Sequence, residues 1–183
     1  MATTGIWKIE KRLDNVLDYT TNVEKTINSE YGKDSYYDLH NVIDYVEADY
    51  KTEKQFYVSG VNCNPKTALE EMTITKEQFG KTGGILGFHA FQSFAEGEVT
   101  PEQCHAIGVR LAEEMWGDRF EVVVSTHLNT NHYHNHFVIN SVSFKDGKRY
   151  YDKRDTYAEL RRLSDSLCEE YGLSVLQEKT CRN

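Results

Sequence analysis

The sequence contains little proline and little cysteine: two prolines and four cysteines in 183 residues. The cysteines are widely separated and form no C-x-x-C pair, which argues against a disulfide or zinc framework and predicts reduced thiols. The hydrophobic fraction of 39%, with 12 Tyr and 8 Phe, is too high for a disordered chain. These features predict one well-packed α/β or α+β domain over residues 1–183, or one domain of a longer protein.

Long apolar runs are also missing. The first ten residues, M-A-T-T-G-I-W-K-I-E, lack the apolar region of a secretion signal, and no stretch approaches the length needed to span a membrane. The sequence therefore predicts a cytoplasmic protein without membrane insertion.

The chain also lacks an overall positive charge, because its net charge is −8. This value argues against a nucleic-acid partner, but the charge is unevenly distributed. Residues 1–126 carry 12 basic and 21 acidic side chains, whereas residues 127–183 carry 9 and 8. The segment 144–162 contains seven basic and four acidic residues. Positive charge is therefore concentrated where a phosphate backbone could be bound, although a solvated surface would have the same pattern.

The feature present in excess is histidine, in the stretch H-L-N-T-N-H-Y-H-N-H-F-V-I-N at 127–140. It holds four of the seven histidines in the chain. His132, His134 and His136 have the i, i+2, i+4 spacing that places side chains on one face of a β-strand. Phe137 and Ile139 would then face a core, and His127 would lie on a neighbouring strand or at its end.

Imidazole is the commonest protein ligand for a divalent metal, and three of them on rigid strands leave positions open for a substrate. A water-facing strand that happens to be rich in histidine is the alternative interpretation. By contrast, His89, in the G-F-H-A-F segment, is expected to be structural or to face DNA rather than to bind a metal.

The remaining patterns predict the order of secondary structure. Helices are expected at 12–22, near 39–46, at 65–79, from Thr100 to about Trp116, and from about Asp155 to Gly172. Strands are expected at 54–64, 85–94, 120–125 and through the histidine stretch to Phe144, followed by a hairpin partner at 149–151. Strand hairpins and long crossover helices predict an antiparallel or mixed sheet with helices packed on it, an α+β fold.

The histidine stretch resembles the third motif of the mobilisation relaxases, which are HUH-type tyrosine nickases of plasmids and integrative conjugative elements. His127, His134, His136 and Asn140 match that motif, and residues 140–150 continue the likeness. Asn129 stands where the family has an acidic residue, and this change is expected to alter metal affinity. The resemblance implies a central antiparallel sheet that carries a three-histidine metal site, with His132 outside the binding set.

The segment L-x-x-V-L-D-Y-T-x-N-x-E-K-T resembles the first motif of the same family, which carries the catalytic tyrosine. This match implies that Tyr19 is the nucleophile. The pentapeptide N-V-L-D-Y at 15–19 returns as N-V-I-D-Y at 41–45, which leaves Tyr45 as its rival.

The resemblance implies a site- and strand-specific nickase that cleaves single-stranded DNA at an origin of transfer through a 5′-phosphotyrosine intermediate. A divalent metal is expected as cofactor, with Mn²⁺ ahead of Mg²⁺ because imidazole ligands favour it. Contacts with DNA are expected from Arg149, Lys153, Arg154 and Asn140. Implied partners are an accessory DNA-binding protein and a conjugation coupling protein, in the bacterial cytoplasm.

Two alternative functions stay open at this point. One is a related tyrosine nickase of rolling-circle replication or transposition, with the same chemistry. The other is a non-catalytic module that binds single-stranded DNA, an interpretation that Asn129 favours.

Overall fold

The computed structural model describes residues 1–26 and 57–175. Its strands are β1 (Thr3–Ile9), β2 (Val58–Val61), β3 (Gly87–Ser93), β4 (Val122–His127) and β5 (His134–Asn140). Its helices are α1 (Leu13–Thr20), α2 (Val23–Thr26), α3 (Ala68–Gln78), α4 (Pro101–Trp116) and α5 (Arg154–Glu170). The helix expected near 39–46, and Tyr45 with it, lie outside the described residues.

The five strands form one sheet in the order β1-β3-β5-β4-β2, and every neighbouring pair is antiparallel. The predicted α+β fold with a central antiparallel sheet is confirmed. The strand β4, V-V-V-S-T-H, is buried along its whole length, as a run of β-branched residues in the middle of a sheet should be. The strand β5 lies at the centre of the sheet.

Side-chain alternation divides the sheet into two faces. On one face, Phe137, Ile139 and Val124 pack with α4 and α5 in the larger core. On the other, Val138 and Val123 pack with residues of α1 and α3 in a smaller core. The predicted orientation of Phe137 and Ile139 is therefore confirmed, and β5 presents its even-numbered side chains to the α1 face.

The helix α4 begins as the sequence predicts. The Thr100 hydroxyl accepts from the Gln103 backbone N–H, and the Gln103 side chain accepts from the Thr100 N–H. Pro101 is the first helical residue, where its missing N–H costs no hydrogen bond. This capping box fixes the residue at which the helix begins.

Two details differ from the sequence-based expectations. The strand β1 was not expected, because its pattern is interrupted by Gly5 and by exposed residues. The segment expected to pair at 149–151 does turn back after Gly147, but it pairs with residues 141–143 only through the Val142–Arg149 bridge and the hydrogen bonds beside it, so it is not a full strand. The helix α5 begins one residue before the expected Asp155, and the Thr156 hydroxyl accepts a hydrogen bond from the Lys153 N–H at this end.

Within residues 1–26 and 57–175, no helix is both long and apolar enough to cross a membrane.

Candidate active site

Three histidines converge where β4 ends and β5 begins. His127 lies opposite His134 in the antiparallel ladder, and His136 is two residues further along β5 on the same face. One ring nitrogen from each of His127, His134 and His136 lies within 4.8 Å of the others, and these are the three histidines that the sequence predicts as ligands. The strand begins at His134 rather than at His132. His132 is therefore an exposed loop residue, apart from the cluster.

Backbone carbonyls orient two of the three rings. His127 Nε2 lies 2.8 Å from the carbonyl oxygen of Thr20, and His134 Nδ1 lies 2.8 Å from that of His132. A carbonyl can only accept, so each of these nitrogens carries the proton and donates it. The other nitrogen of each ring, Nδ1 of His127 and Nε2 of His134, is left as a lone-pair donor for a metal.

A fourth histidine orients the third ring. His89 Nε2 lies 2.8 Å from His136 Nδ1, and both side chains are buried. Nε2 of His136 is buried and has no hydrogen-bond partner among the described residues. A buried polar atom without a partner is costly unless a ligand satisfies it, so Nε2 is the atom that His136 presents to a metal.

Burial keeps these imidazoles neutral. It lowers the pKa of His127 to about 4, with a smaller contribution from the positive charge of Lys25 and from neighbouring His134. It lowers the pKa of His136 to about 2, and the nearby histidines add to this effect. The pKa of His89 falls to about 4, again mainly through burial. Neutral imidazole is the form that binds a cation, so the cluster is ready to do so at neutral pH.

Tyr19 lies beside the histidine cluster at the end of α1. Its ring is edge-on to His127 at a centroid distance of 5.7 Å and to His136 at 6.0 Å. The Lys25 ammonium lies 3.4 Å from the centre of the Tyr19 ring. Leu13 and Leu17 anchor α1 in the smaller core, whereas the Tyr19 side chain is 53% exposed. A hydroxyl that is both near the cluster and open to solvent can meet an incoming substrate.

The donor set fits a divalent metal. Three imidazoles, each held by a partner on its other nitrogen, leave coordination positions for a substrate oxygen. The residues that do this orienting are Thr20, His132 and His89. Asn129, which replaces the acidic residue of the resembling motif, is exposed in the loop between β4 and β5.

Asn140, which the sequence predicts as a DNA contact, lies in the interior of the domain. Its side chain is fully buried, accepts from Lys76 Nζ at 2.5 Å and donates to Glu121 Oε2 and the Met72 carbonyl. In this structure the Asn140 amide links β5 to α3, and its polar atoms are engaged within the protein. A contact between Asn140 and DNA stays a prediction.

The three predicted basic contacts also lie away from the histidines. Arg149 is bridged to Val142, six residues beyond His136, or roughly 20 Å at strand spacing. Its guanidinium donates to the Gly83 and Ile85 carbonyls. Lys153 and Arg154 stand at the start of α5, which packs on the other face of the sheet. These side chains are not part of the cluster.

Sequence reasoning missed Thr20 and Lys25 as site residues, and it expected His89 to be structural or to face DNA without identifying its partner. Thr20 and Lys25 are part of the segment compared with the first relaxase motif, so their proximity to Tyr19 along the chain was a usable signal. His89 had no such signal, because only the register of β3 against β5 brings it to His136.

Comparisons with known proteins agree with this geometry. The family described as relaxase, MobA/VirD2-like, nuclease domain matches residues 24–173, which begin just after Tyr19. An Rlx protein of Staphylococcus aureus is 41% identical over 119 residues, covering 65% of this chain and 38% of that protein. Another Rlx protein of that species is 36% identical over 132 residues, covering 72% and 41%.

More distant similarity extends over nearly all of the chain. The group II intron-interrupted relaxase LtrB of Lactococcus lactis is 28% identical over 209 aligned residues, covering 92% of this chain and 36% of LtrB. A solved structure concerned with vancomycin resistance transfer in Staphylococcus aureus has the same fold, with a TM-score of 0.58, 11% identity and 96% of each chain covered. This chain spans between 36% and 41% of the length of these curated relatives. The chain belongs to the relaxase family, as a MobA/VirD2-like nuclease domain.

Proposed function

We propose that this domain is a site- and strand-specific nickase that cleaves single-stranded DNA at an origin of transfer, with Tyr19 as the nucleophile. The observation that carries the proposal is the position of Tyr19, whose ring lies 5.7 Å and 6.0 Å from two rings of the three-histidine cluster. An attacking hydroxyl and a group that can bind phosphate must be adjacent for in-line displacement. Among the described residues, the one group of three side chains that could hold a metal is this histidine cluster.

His127, His134 and His136 would hold the metal through the nitrogens that their partners leave free. Mn²⁺ is the proposed ion and Mg²⁺ the second choice, because imidazole is a softer ligand than Mg²⁺ prefers. When bound, the ion supplies positive charge that offsets the negative charge of the scissile phosphate.

The side chains of this domain perform the transfer. The Tyr19 oxygen forms a bond to phosphorus while the bond from phosphorus to the 3′ oxygen breaks. The tyrosine proton leaves to solvent, and the 3′ oxygen gains a proton to become a free hydroxyl. The Lys25 ammonium, over the Tyr19 ring, is placed to offset negative charge on the phenol oxygen.

The product is a DNA strand attached to Tyr19 by its 5′ phosphate. One phosphodiester replaces another, so the reaction is close to thermoneutral and the 3′ hydroxyl can reverse it. This reversibility suits a strand that is moved and then rejoined, as the relaxase names of the relatives suggest. Conjugative mobilisation in the bacterial cytoplasm, with an accessory DNA-binding protein and a coupling protein, is therefore the proposed setting.

A cleavage assay tests this function. Single-stranded oligonucleotides tiled across the DNA that flanks the gene would be incubated with the domain and Mn²⁺, Mg²⁺ or a chelator. We expect cleavage at one position of one strand, with metal only. Tyr19→Phe, which removes a single oxygen, should bind DNA and metal normally and cleave nothing. Binding without cleavage by the unaltered domain under every condition would instead identify a non-catalytic DNA-binding module.

A further inference from the structure

An exposed tryptophan lies on the same face of the sheet as the histidine cluster. Trp7, on the edge strand β1, is 46% exposed, which is unusual for the largest apolar side chain. It pairs with His89 in the ladder, and the two rings meet edge-on at 4.5 Å. His89 in turn touches His136, so a line of ring contacts runs from Trp7 to the cluster.

Phe91 is the second aromatic side chain beside Trp7 on this face. It lies directly across from His136 on β5 and from Gly5 on β1. The Phe91 ring crosses over Gly5, where an added Cβ would come within 2.3 Å of Phe91 Cε1. The glycine that interrupts the pattern of β1 therefore allows the ring to lie across the strand. The Trp7 and Phe91 rings are 5.9 Å apart and tilted by 48°.

We propose that Trp7 and Phe91, together the aromatic platform, stack a base of the DNA strand next to the scissile phosphate. Neighbouring strands are about 5 Å apart, so Phe91 is one strand and Trp7 two strands from His136. A nucleotide whose phosphate meets the histidines can reach that distance with its base. Aromatic faces bind single-stranded DNA because every base offers a π surface to stack on.

The aromatic platform is a contact beyond the cleavage chemistry, and it rests on the proposed function because it needs single-stranded DNA at the histidine cluster. Its role is to set the position of the strand relative to Tyr19. The residues that form it precede residue 24 or lie on β3, so part of it falls outside the region matched by the family.

The intrinsic fluorescence of the chain gives a direct test. The chain has two tryptophans, and Trp116 is 2% exposed in the core, so stacking on Trp7 is the event that would quench emission. The probes are a single-stranded oligothymidylate and an abasic deoxyribose-phosphate strand of the same length. We expect quenching by the oligothymidylate and little quenching by the abasic strand.

Variants separate stacking from general damage. Trp7→Ala should weaken oligothymidylate binding about 5- to 100-fold, the range that loss of one stacked base gives, while leaving binding of the abasic strand unchanged. Trp7→Phe should retain most of the affinity but lose the quenching. Phe144→Ala, at an exposed aromatic in the turn after β5, is the matched control and should bind normally.

The outcomes distinguish this proposal from the proposed function. Binding of oligothymidylate without quenching, or unchanged affinity in Trp7→Ala, overturns the aromatic platform even if the domain cleaves DNA. Quenching and its loss in Trp7→Phe support the platform even if no strand is cleaved, in which case the nickase assignment alone fails. Failure to bind single-stranded DNA overturns both.

Discussion

At the scale of single residues, the site depends on which nitrogen of each imidazole is free. Thr20 and His132 hold His127 and His134 through their carbonyls, and His89 holds His136 through a ring nitrogen. The sequence could predict the histidines that converge, because strand alternation and the motif both point to them. It could not predict their partners, because these hydrogen bonds arise between elements that are distant along the chain.

Removing any one of the three ring ligands should abolish tight metal binding. His127→Ala, His134→Ala and His136→Ala each leave two imidazoles, too few to hold a divalent ion firmly against water. Isothermal titration with Mn²⁺ measures the effect. His132→Ala is the control, since His132 is exposed and outside the cluster, and it should bind like the unaltered domain. Unchanged affinity in all three ligand variants would show that the ion binds elsewhere.

His89 should act as a positioning residue. His89→Phe keeps a ring in the buried space but removes the hydrogen bond to His136, and removal of such a bond typically lowers metal affinity about 10- to 100-fold. His89→Gln can restore a hydrogen bond and should recover much of the affinity. Mn²⁺ titration and the thermal stability of the metal-free domain would be compared. Equal affinity in His89→Phe and the unaltered domain would mean that packing alone orients His136.

At the scale of elements, α4 and the strands beneath it are joined by a half-buried histidine. His105 of α4 hydrogen-bonds to Ser59 of β2 and Thr126 of β4, at 2.7 Å and 2.8 Å. Burial lowers its pKa to about 4, from an ordinary value of 6.5. Between these two values the unfolded chain binds more protons than the folded domain, so His105 makes the fold less stable as the pH falls through this window.

Replacing His105 should therefore weaken the dependence of stability on pH. We expect His105→Gln to be less stable than the unaltered domain at pH 7. The difference in the free energy of unfolding should shrink by on the order of 2 kcal/mol at pH 5. At that pH the unfolded chain protonates His105 and the folded domain does not, which destabilises the unaltered domain but not the variant. Urea unfolding of the metal-free proteins at the two pH values measures this change. A difference in stability that is the same at both pH values would contradict the assignment of a half-buried, neutral His105.

Most elements could be predicted from the sequence because their signals are local. The cap at Thr100, the β-branched run of β4 and the alternation of β5 each report the element that contains them. The strand β1 could not be predicted in this way, since it is an edge strand whose exposed residues and Gly5 weaken its alternation. The segment at 149–151 has strand-like composition, but its pairing is limited to the Val142–Arg149 bridge and the hydrogen bonds beside it.

At the scale of the whole molecule, the sheet separates two groups of basic side chains. The net charge of −8 repels DNA in general, so the proposed binding of DNA must rely on such local groups. The histidine cluster and Lys25 lie on the α1 face, whereas Lys153 and Arg154 begin the helix of the opposite face. A DNA strand bound at the histidine cluster would reach Lys153 and Arg154 only if it continued around the edge of the sheet.

The length of the DNA should therefore decide whether the basic residues at 149–154 contribute. Replacing Arg149, Lys153 and Arg154 by Gln should leave the salt dependence of binding unchanged for an oligonucleotide just long enough to cover the cluster. With a longer strand, the slope against salt concentration should fall by up to about three, one for each basic side chain that no longer pairs with a phosphate. An equal reduction for both lengths would place these residues at the cleavage site.

Mapping the covalent adduct tests the claim that Tyr19 becomes linked to DNA beside the three histidines. The domain would be reacted with its cleaved oligonucleotide and Mn²⁺, digested with a protease, and the DNA-linked peptide identified by mass spectrometry. We expect a peptide that contains Tyr19 with the 5′ phosphate on its side chain, and none from Tyr19→Phe. An adduct on Tyr45 or on a histidine would contradict the claim.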